Sequence, residues 1–240
     1  MNKIMTGAME HCKTILLKRK GGWDDVVDDC RATVGKPSLG KEPSDAFKES
    51  ILIAEHSPIR DISIRWRWEN MPHWVVVHWV RHKFEKYVRT QRSDRTGVPR
   101  DKLPQDEPST ITCEANCQNI IDAWRKRLCY QASPETRQSA EDVKVKLGDP
   151  ESPVYEPQLS NVLVPNCIYR FGCPEPNPCK FFKKFVEDCE SRSIDLSKAT
   201  ISERYAIYNE YFKRTRGFAE EDTNPGSKQI SIFDDKDGGE

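Results

Sequence analysis

The residues best suited to chemistry are the basic run Arg81-His82-Lys83 and, seven positions on, Thr90-Gln91-Arg92-Ser93-Asp94-Arg95. From Arg81 to Lys102 there are eight basic residues against three acidic. Several guanidinium groups and a hydroxyl in one stretch suit an anion, because the planar fork of arginine binds phosphate or carboxylate bidentately. The same residues also fit a solvated basic helix face. Asn116 and Arg127 are eleven residues apart, three helical turns, which places them on one face of a helix. Facing inward they span a ligand; otherwise Asn116 is a cap and Arg127 a surface charge.

Two other groups attract attention. His78 and His82 are spaced i,i+4 with His73 nearby, but no acidic third ligand accompanies them, and packing or ligand contact fits better than metal. Cys167, Cys173 and Cys179 recur every six residues, with Cys189 beyond. Zinc sites favour shorter knuckles, so no metal ligand is assigned and buried thiols in a proline-rich loop are the expectation.

The elements that must hold these residues can be read from periodicity. Helices are expected over Trp23–Ala32 and from an N-cap at Ser44 to Glu55, with Phe47, Ile51 and Ala54 on one face. Asp61–Trp68 alternates strictly, with Ile62, Ile64, Trp66 and Trp68 on one side, which predicts a half-buried antiparallel strand. Asn70-Met71-Pro72 makes a turn. A helix is expected over His73–Arg89, although its Val-rich start also reads as a strand, and another over Cys113–Tyr130. Ser133-Pro134-Glu135 opens a further helix. Residues 148–180 are proline-rich and irregular, and Phe181–Cys189 and Ser202–Lys213 are helical by pattern. Trp66, Trp68, Trp74, Trp79 and Trp124 are expected in the core or at a subunit interface.

Composition excludes some classes. The chain has 240 residues and equal numbers of basic and acidic side chains, which disfavours a generic binder of nucleic-acid polymers or membrane surfaces. No apolar run approaches a membrane span. Nine cysteines without a signal-peptide core read as reduced thiols in a cytoplasmic protein. Residues 219–240 carry seven acidic against two basic side chains, the pattern of a disordered tail. The expected organisation is a core over 1–147, a Pro/Cys-rich extension over 148–218, and that tail.

The order of motifs resembles the flavin-dependent thymidylate synthases. Arg81-His82-Lys83 and Thr90-Gln91-Arg92-Ser93-Asp94-Arg95 stand where that family has Arg-His-Arg and Asn-Glu-x-Ser-x-Arg, with a spacer two residues longer. His56-Ser57-Pro58 precedes the strand, as a His-x-Ser/Thr-Pro element does in the family. Arg100-Asp101-Lys102-Leu103-Pro104 matches its Arg-x-x-Leu-Pro element, followed by Asn116 and by Arg127 with Gln131 four later. The resemblance covers about residues 31–145. A segment the family carries before the Leu-Pro element is nearly absent, and Pro134 interrupts a helix that is normally continuous.

The resemblance implies an α+β fold of antiparallel strands packed with long helices. It implies methylation of dUMP to dTMP with FAD as cofactor and methylenetetrahydrofolate and NADPH as co-substrates, without a covalent enzyme nucleophile. It implies a homotetramer with shared sites. Arg81, Gln91, Ser93, Asp94, Arg95, Arg100 and Arg127 then fall on the substrate side, with Ser93 and Arg127 in catalytic positions. His56, Arg81, His82, Lys83, Asn116, Asp122 and Gln131 fall on the flavin side. Gln91 donates hydrogen bonds where the family's glutamate only accepts, and Lys83 loses the arginine fork. Transfer of a methyl or hydroxymethyl group to another pyrimidine nucleotide therefore stands as an alternative. A catalytically inactive nucleotide-binding homologue, or an interaction module built on the Cys loop, is a second.

Overall fold

The computed structural model describes residues 9–215; the acidic segment 219–240 lies outside them. Four strands form one antiparallel sheet in the order β1-β2-β4-β3. These are β1 (Lys13–Lys20), β2 (Ser63–Pro72), β3 (Glu85–Val88) and β4 (Pro108–Asn116). Between β1 and β2 lie helices α1 (Trp23–Ala32) and α2 (Asp45–Ala54) and a 3-10 turn at Ser57–Asp61. Ser44 caps α2 by accepting from the Phe47 N–H, as its residue type predicts. In β2 the alternation is realised: Ile64, Trp66 and Trp68 are buried while Ser63, Arg65 and Arg67 are partly exposed.

Two long helices expected from the sequence are instead strand–helix combinations. His73–Arg89 contains only a short helix, α3 (His73–Trp79), then a turn and β3. Its second half pairs with β4, Glu85 opposite Glu114 and Tyr87 opposite Thr112, so ladder formation wins over helical continuation. The segment expected to be helical from Cys113 begins as β4. Ile111 and Cys113 are fully buried and alternate with Thr110 and Glu114, a period of two that favours a strand. The helix α5 starts only at Cys117 and runs to Arg127.

Beyond α5, α4 (Ser93–Thr96) having intervened on an exposed arm, come α6 (Pro134–Leu147), α7 (Pro157–Val162) and α8 (Asn166–Arg170). The chain closes with α9 (Phe181–Ser191) and α10 (Ile201–Thr215). Ser133 caps α6, and α7 and α8 break what reads as an irregular stretch.

The core is built on tryptophan. Trp66 meets Trp68 and Trp124 edge-on, each pair with ring centroids 5.6 Å apart, a preferred aromatic geometry. The indole N–H of Trp79 donates to Ser139 Oγ at 3.0 Å and that of Trp124 to the Ala140 carbonyl at 2.9 Å, which fixes α3 and α5 to α6. Residues from 148 onward join the same hydrophobic cluster through Leu159, Ile168, Phe185 and Phe212. Lys144 of α6 is buried and donates to the Ser160 carbonyl and, at 2.7 Å, to Asn209 Oδ1, tying α7 and α10 to the core. Among the described residues no helix is long and apolar enough to cross a membrane.

Candidate functional site

The turn after α3 and the last turn of α5 converge. Arg127, the final residue of α5, is half-buried. Its Nε–H donates to His82 Nε2 at 2.7 Å, and its Nη2 donates to the His78 carbonyl, also at 2.7 Å. His82 sits in the α3–β3 turn, with its ring packed against both Trp79 and Phe84. His78 shares a 2.7 Å hydrogen bond with Thr136 Oγ1, at the start of α6. The corner where three elements meet is thereby cross-linked by polar bonds.

Its electrostatics are one-sided. Burial, then Arg127, Lys126 and Lys86, lower His82 to about 4. Burial, then Arg127 and Arg81, lower His78. Arg127 itself is lowered, by burial first and by Arg81 second. Two guanidinium groups thus repel each other across this corner, and among the described residues neither forms an ion pair with a carboxylate. Like charges held together without a counter-ion are costly unless an anion joins them.

Beside them opens a cavity of about 360 Å³, lined by Arg81, His82, Lys83, Asp122, Lys126 and Arg170 among others. Its lining is predominantly basic. Asp122 offsets only part of it: that carboxylate lies 3.6 Å from Arg125, which also lines the cavity, and accepts from Gln118, which leaves Arg81, Lys83, Lys126 and Arg170 in excess. A larger cavity of about 510 Å³ adjoins it, and Arg125, Lys126 and Asn166 line both. Arg127 and Gln131 belong to this second space, and Gln131 donates to the Asn177 carbonyl.

The structure therefore brings Arg81, His82, Lys83, Asp122, Arg127 and Gln131 into one neighbourhood. Other expected residues lie apart within the chain. Ser93, Asp94, Arg95 and Arg100 are exposed on the arm between β3 and β4. There Ser93 Oγ accepts from the Arg100 N–H at 3.0 Å, and Asp94 pairs with Arg92. Gln91 lines a separate small recess with Thr90 and Ser109. His56 is exposed and precedes the 3-10 turn. Asn116 caps α5, its Oδ1 accepting from the Asn119 N–H at 2.9 Å, and it stands at the opposite end of that helix from Arg127, about 16 Å away at the helical rise.

Some lining residues were not singled out from the sequence. Asn166, Tyr169 and Arg170 come from α8, inside the proline-rich stretch. Arg125 and Lys126 were passed over beside Arg127, although the basic triplet is visible. Arg125 is committed elsewhere: it pairs with Glu55 and lies over the Tyr169 ring at 3.6 Å.

No protein-family model matches the chain, and no curated protein matches it. Solved structures similar to it include the following two. One is a UMP/dUMP methylase, PolB from Streptomyces cacaoi, bound with 5-Br dUMP: 12% identity over 57% of this chain and 90% of that one, with a TM-score of 0.47. The other is thymidylate synthase X from Helicobacter pylori with FAD and dUMP: 11% identity over 62% of this chain and 99% of that one, with a TM-score of 0.49.

Proposed function

We propose that the chain binds a pyrimidine nucleotide through Arg81 and Arg127 and acts as a flavin-dependent nucleotide methylase, with dUMP as substrate and dTMP as product. The observation that carries the nucleotide is the pair of neighbouring guanidinium groups without a carboxylate, beside a basic cavity. A phosphate monoester supplies the missing charge, and an arginine fork binds it more strongly than a point cation does. The pyrimidine and the flavin come from the order of motifs rather than from the cavity.

The lining fits the anionic part of FAD. Arg81, Lys83, Lys126 and Arg170 offer cationic donors for its pyrophosphate, and neutral His82 is available at the same wall. A cavity of about 360 Å³ takes part of such a dinucleotide, so a full site draws on a second copy. When bound, the flavin supplies the hydride of the reaction, with methylenetetrahydrofolate as carbon donor and NADPH as reductant. This chain's own share is to clamp the phosphate, hold Arg127 in place through His82, and keep the surroundings cationic.

The exposed arm with Ser93, Arg95 and Arg100 completes the site of a neighbouring subunit in a homotetramer on this reading. Its hydroxyl and guanidinium groups are exposed, as Arg81 is, whereas Arg127 is half-buried. The division into a core over 1–147 and an extension belongs to the same proposal.

Titration calorimetry with dUMP and UMP, with and without FAD, tests it. Micromolar binding of one of them, lost on removal of Arg127, is the expected result. Absence of binding by either nucleotide in both conditions overturns the reading.

A further inference from the structure

The larger cavity is lined by four thiols drawn from three places in the chain. Cys129 follows α5, Cys167 lies on α8, and Cys173 and Cys179 lie on the loop between α8 and α9. The regular spacing of Cys167, Cys173 and Cys179 is visible in the sequence, but the fourth thiol at this place is Cys129. Cys189 is buried on α9 and does not line the space. The other four, Cys12, Cys30, Cys113 and Cys117, are elsewhere.

The four thiols act on one another. Cys129 and Cys179 share a side-chain hydrogen bond, and Cys167 lies within the field of both Cys173 and Cys179.

The loop that carries two of them has little else to hold it. Pro174, Pro176 and Pro178 lack amide donors. Among the described residues the backbone from Cys173 to Pro178 makes no backbone–backbone hydrogen bond, and its Asn177 carbonyl accepts from Gln131. Lys126, Lys180 and Lys183 line the same space against one carboxylate, Glu175, an environment suited to an anionic group.

A single metal ion does not suit this arrangement. Zinc draws its sulfurs to about 2.3 Å from one centre. Among the described residues no group of three or more His, Cys, Asp or Glu converges in that way. A cluster of several irons asks for something different: each thiolate binds a different iron, so the sulfurs stand apart around a central space.

We propose that Cys129, Cys167, Cys173 and Cys179 ligate an iron–sulfur cluster of the four-iron type in the cavity beside Arg127. Ligation breaks the four S–H bonds and releases their protons to solvent; ferrous and ferric iron in equal amounts, and sulfide, are supplied from outside, so assembly needs no further oxidant. The cluster, with its thiolates, is the anion that the lysine rim accommodates, and it staples the proline-rich loop to the end of α5. This inference stands on the thiols alone and does not depend on the nucleotide reading.

The test is the metal content of the full chain, purified without oxygen and reconstituted with ferrous and ferric iron in equal amounts and sulfide. The expected result is about four irons and four acid-labile sulfides per chain, with an anisotropic, fast-relaxing electron paramagnetic resonance signal after reduction by dithionite, distinct from the narrow radical signal of a flavin semiquinone. Cys173→Ala and Cys179→Ala should lose the iron, while Cys30→Ser should keep it. Should the alanine variants fail to fold, the wild-type iron and sulfide content decides alone. Stoichiometric zinc, a Cys129–Cys179 disulfide in iron-free protein, or folded protein that takes up no iron overturns the proposal. None of these outcomes bears on dUMP binding, which calorimetry reads separately.

Discussion

Arg127 donates its Nε–H to His82 Nε2 at 2.7 Å, so His82 must be neutral with its proton on Nδ1. This one bond joins the end of α5 to the α3–β3 turn. It also fixes the direction in which the guanidinium presents its remaining donors. Protonating His82 would set two cations against each other at hydrogen-bond distance.

That relationship sets a pH dependence. His82 titrates near 4 in the folded chain, against an ordinary 6.5. Its folded value is depressed, so the unfolded chain binds more protons between these limits. The stability it contributes is present above about 6.5 and is lost as pH falls towards 4. Nucleotide affinity should fall only towards pH 4, where His82 of the folded chain takes up a proton and Arg127 is displaced. His82→Gln keeps an acceptor for Arg127 but does not titrate. Calorimetry of dUMP binding from pH 7 down to the acid limb should show a flatter profile for this variant than for wild type. Superimposable profiles would remove His82 from the site.

Arg127→Ala should weaken dUMP binding by about 2–5 kcal/mol, roughly 30-fold to several thousandfold. Arg127→Lys should recover only part of that, because a point charge cannot hold both His82 and a phosphate. Arg92→Ala should change little, since Arg92 is exposed and paired with Asp94. Affinities for the three variants against wild type check this, with far-ultraviolet circular dichroism as a control for folding. Equal affinity for wild type and Arg127→Ala is the outcome that sinks it.

How much of this could be read beforehand depends on the range of the forces involved. The Ser44 and Ser133 caps and the alternation of β2 are local, and the sequence reveals them. The strand character of Glu85–Val88 and of Pro108–Asn116 is not local. Each pairs with a partner far along the chain, and the pairing overrides a helical reading of the same residues. The Arg81–Arg127 corner was legible because both arginines sit in recognisable motifs. The contribution of Asn166 and Arg170 was hidden, since only tertiary packing carries α8 to the end of α5. The same packing puts Cys129, rather than Cys189, beside the other thiols.

Lys144 gives a prediction independent of the site. Burial lowers it to about 7 from an ordinary 10.5, and its partners are a carbonyl and an amide oxygen, not a carboxylate. Between these values the unfolded chain holds a proton that the folded chain has shed. Stability from this group therefore rises with pH across that window and is lost as pH falls through 7. Lys144→Met has similar length and no charge, and should abolish that rise. Denaturant midpoints of both proteins, compared from pH 6.5 to pH 10, measure it. Taking the difference between them separates Lys144 from Tyr208 and the raised thiols, whose effect runs the other way. A difference that does not change with pH would show that Lys144 stays charged in the fold.

Asn116 separates two roles that the sequence left open. Its Oδ1 accepts from the Asn119 N–H at the start of α5, which satisfies a donor that the helix cannot satisfy itself. The β4 pairing of Asn116 with Ser63 holds its backbone in the extended conformation a cap needs. As a cap it should lose about 1 kcal/mol of stability on replacement by alanine and almost none on replacement by aspartate or serine. A flavin contact predicts a different order: serine and aspartate would both change FAD affinity while leaving stability intact. Because α5 also carries Arg127 at its far end, a frayed first turn should leave dUMP binding nearly unchanged, since the last turn is held separately by His82, His78 and the Trp124 indole. We expect Asn116→Ala to lower the denaturation midpoint, Asn116→Asp to restore it, and FAD and dUMP affinities to be the same in all three proteins. Chemical denaturation and ligand titration on the same preparations measure both. Loss of FAD affinity in Asn116→Ser at unchanged stability would make Asn116 a cofactor ligand after all.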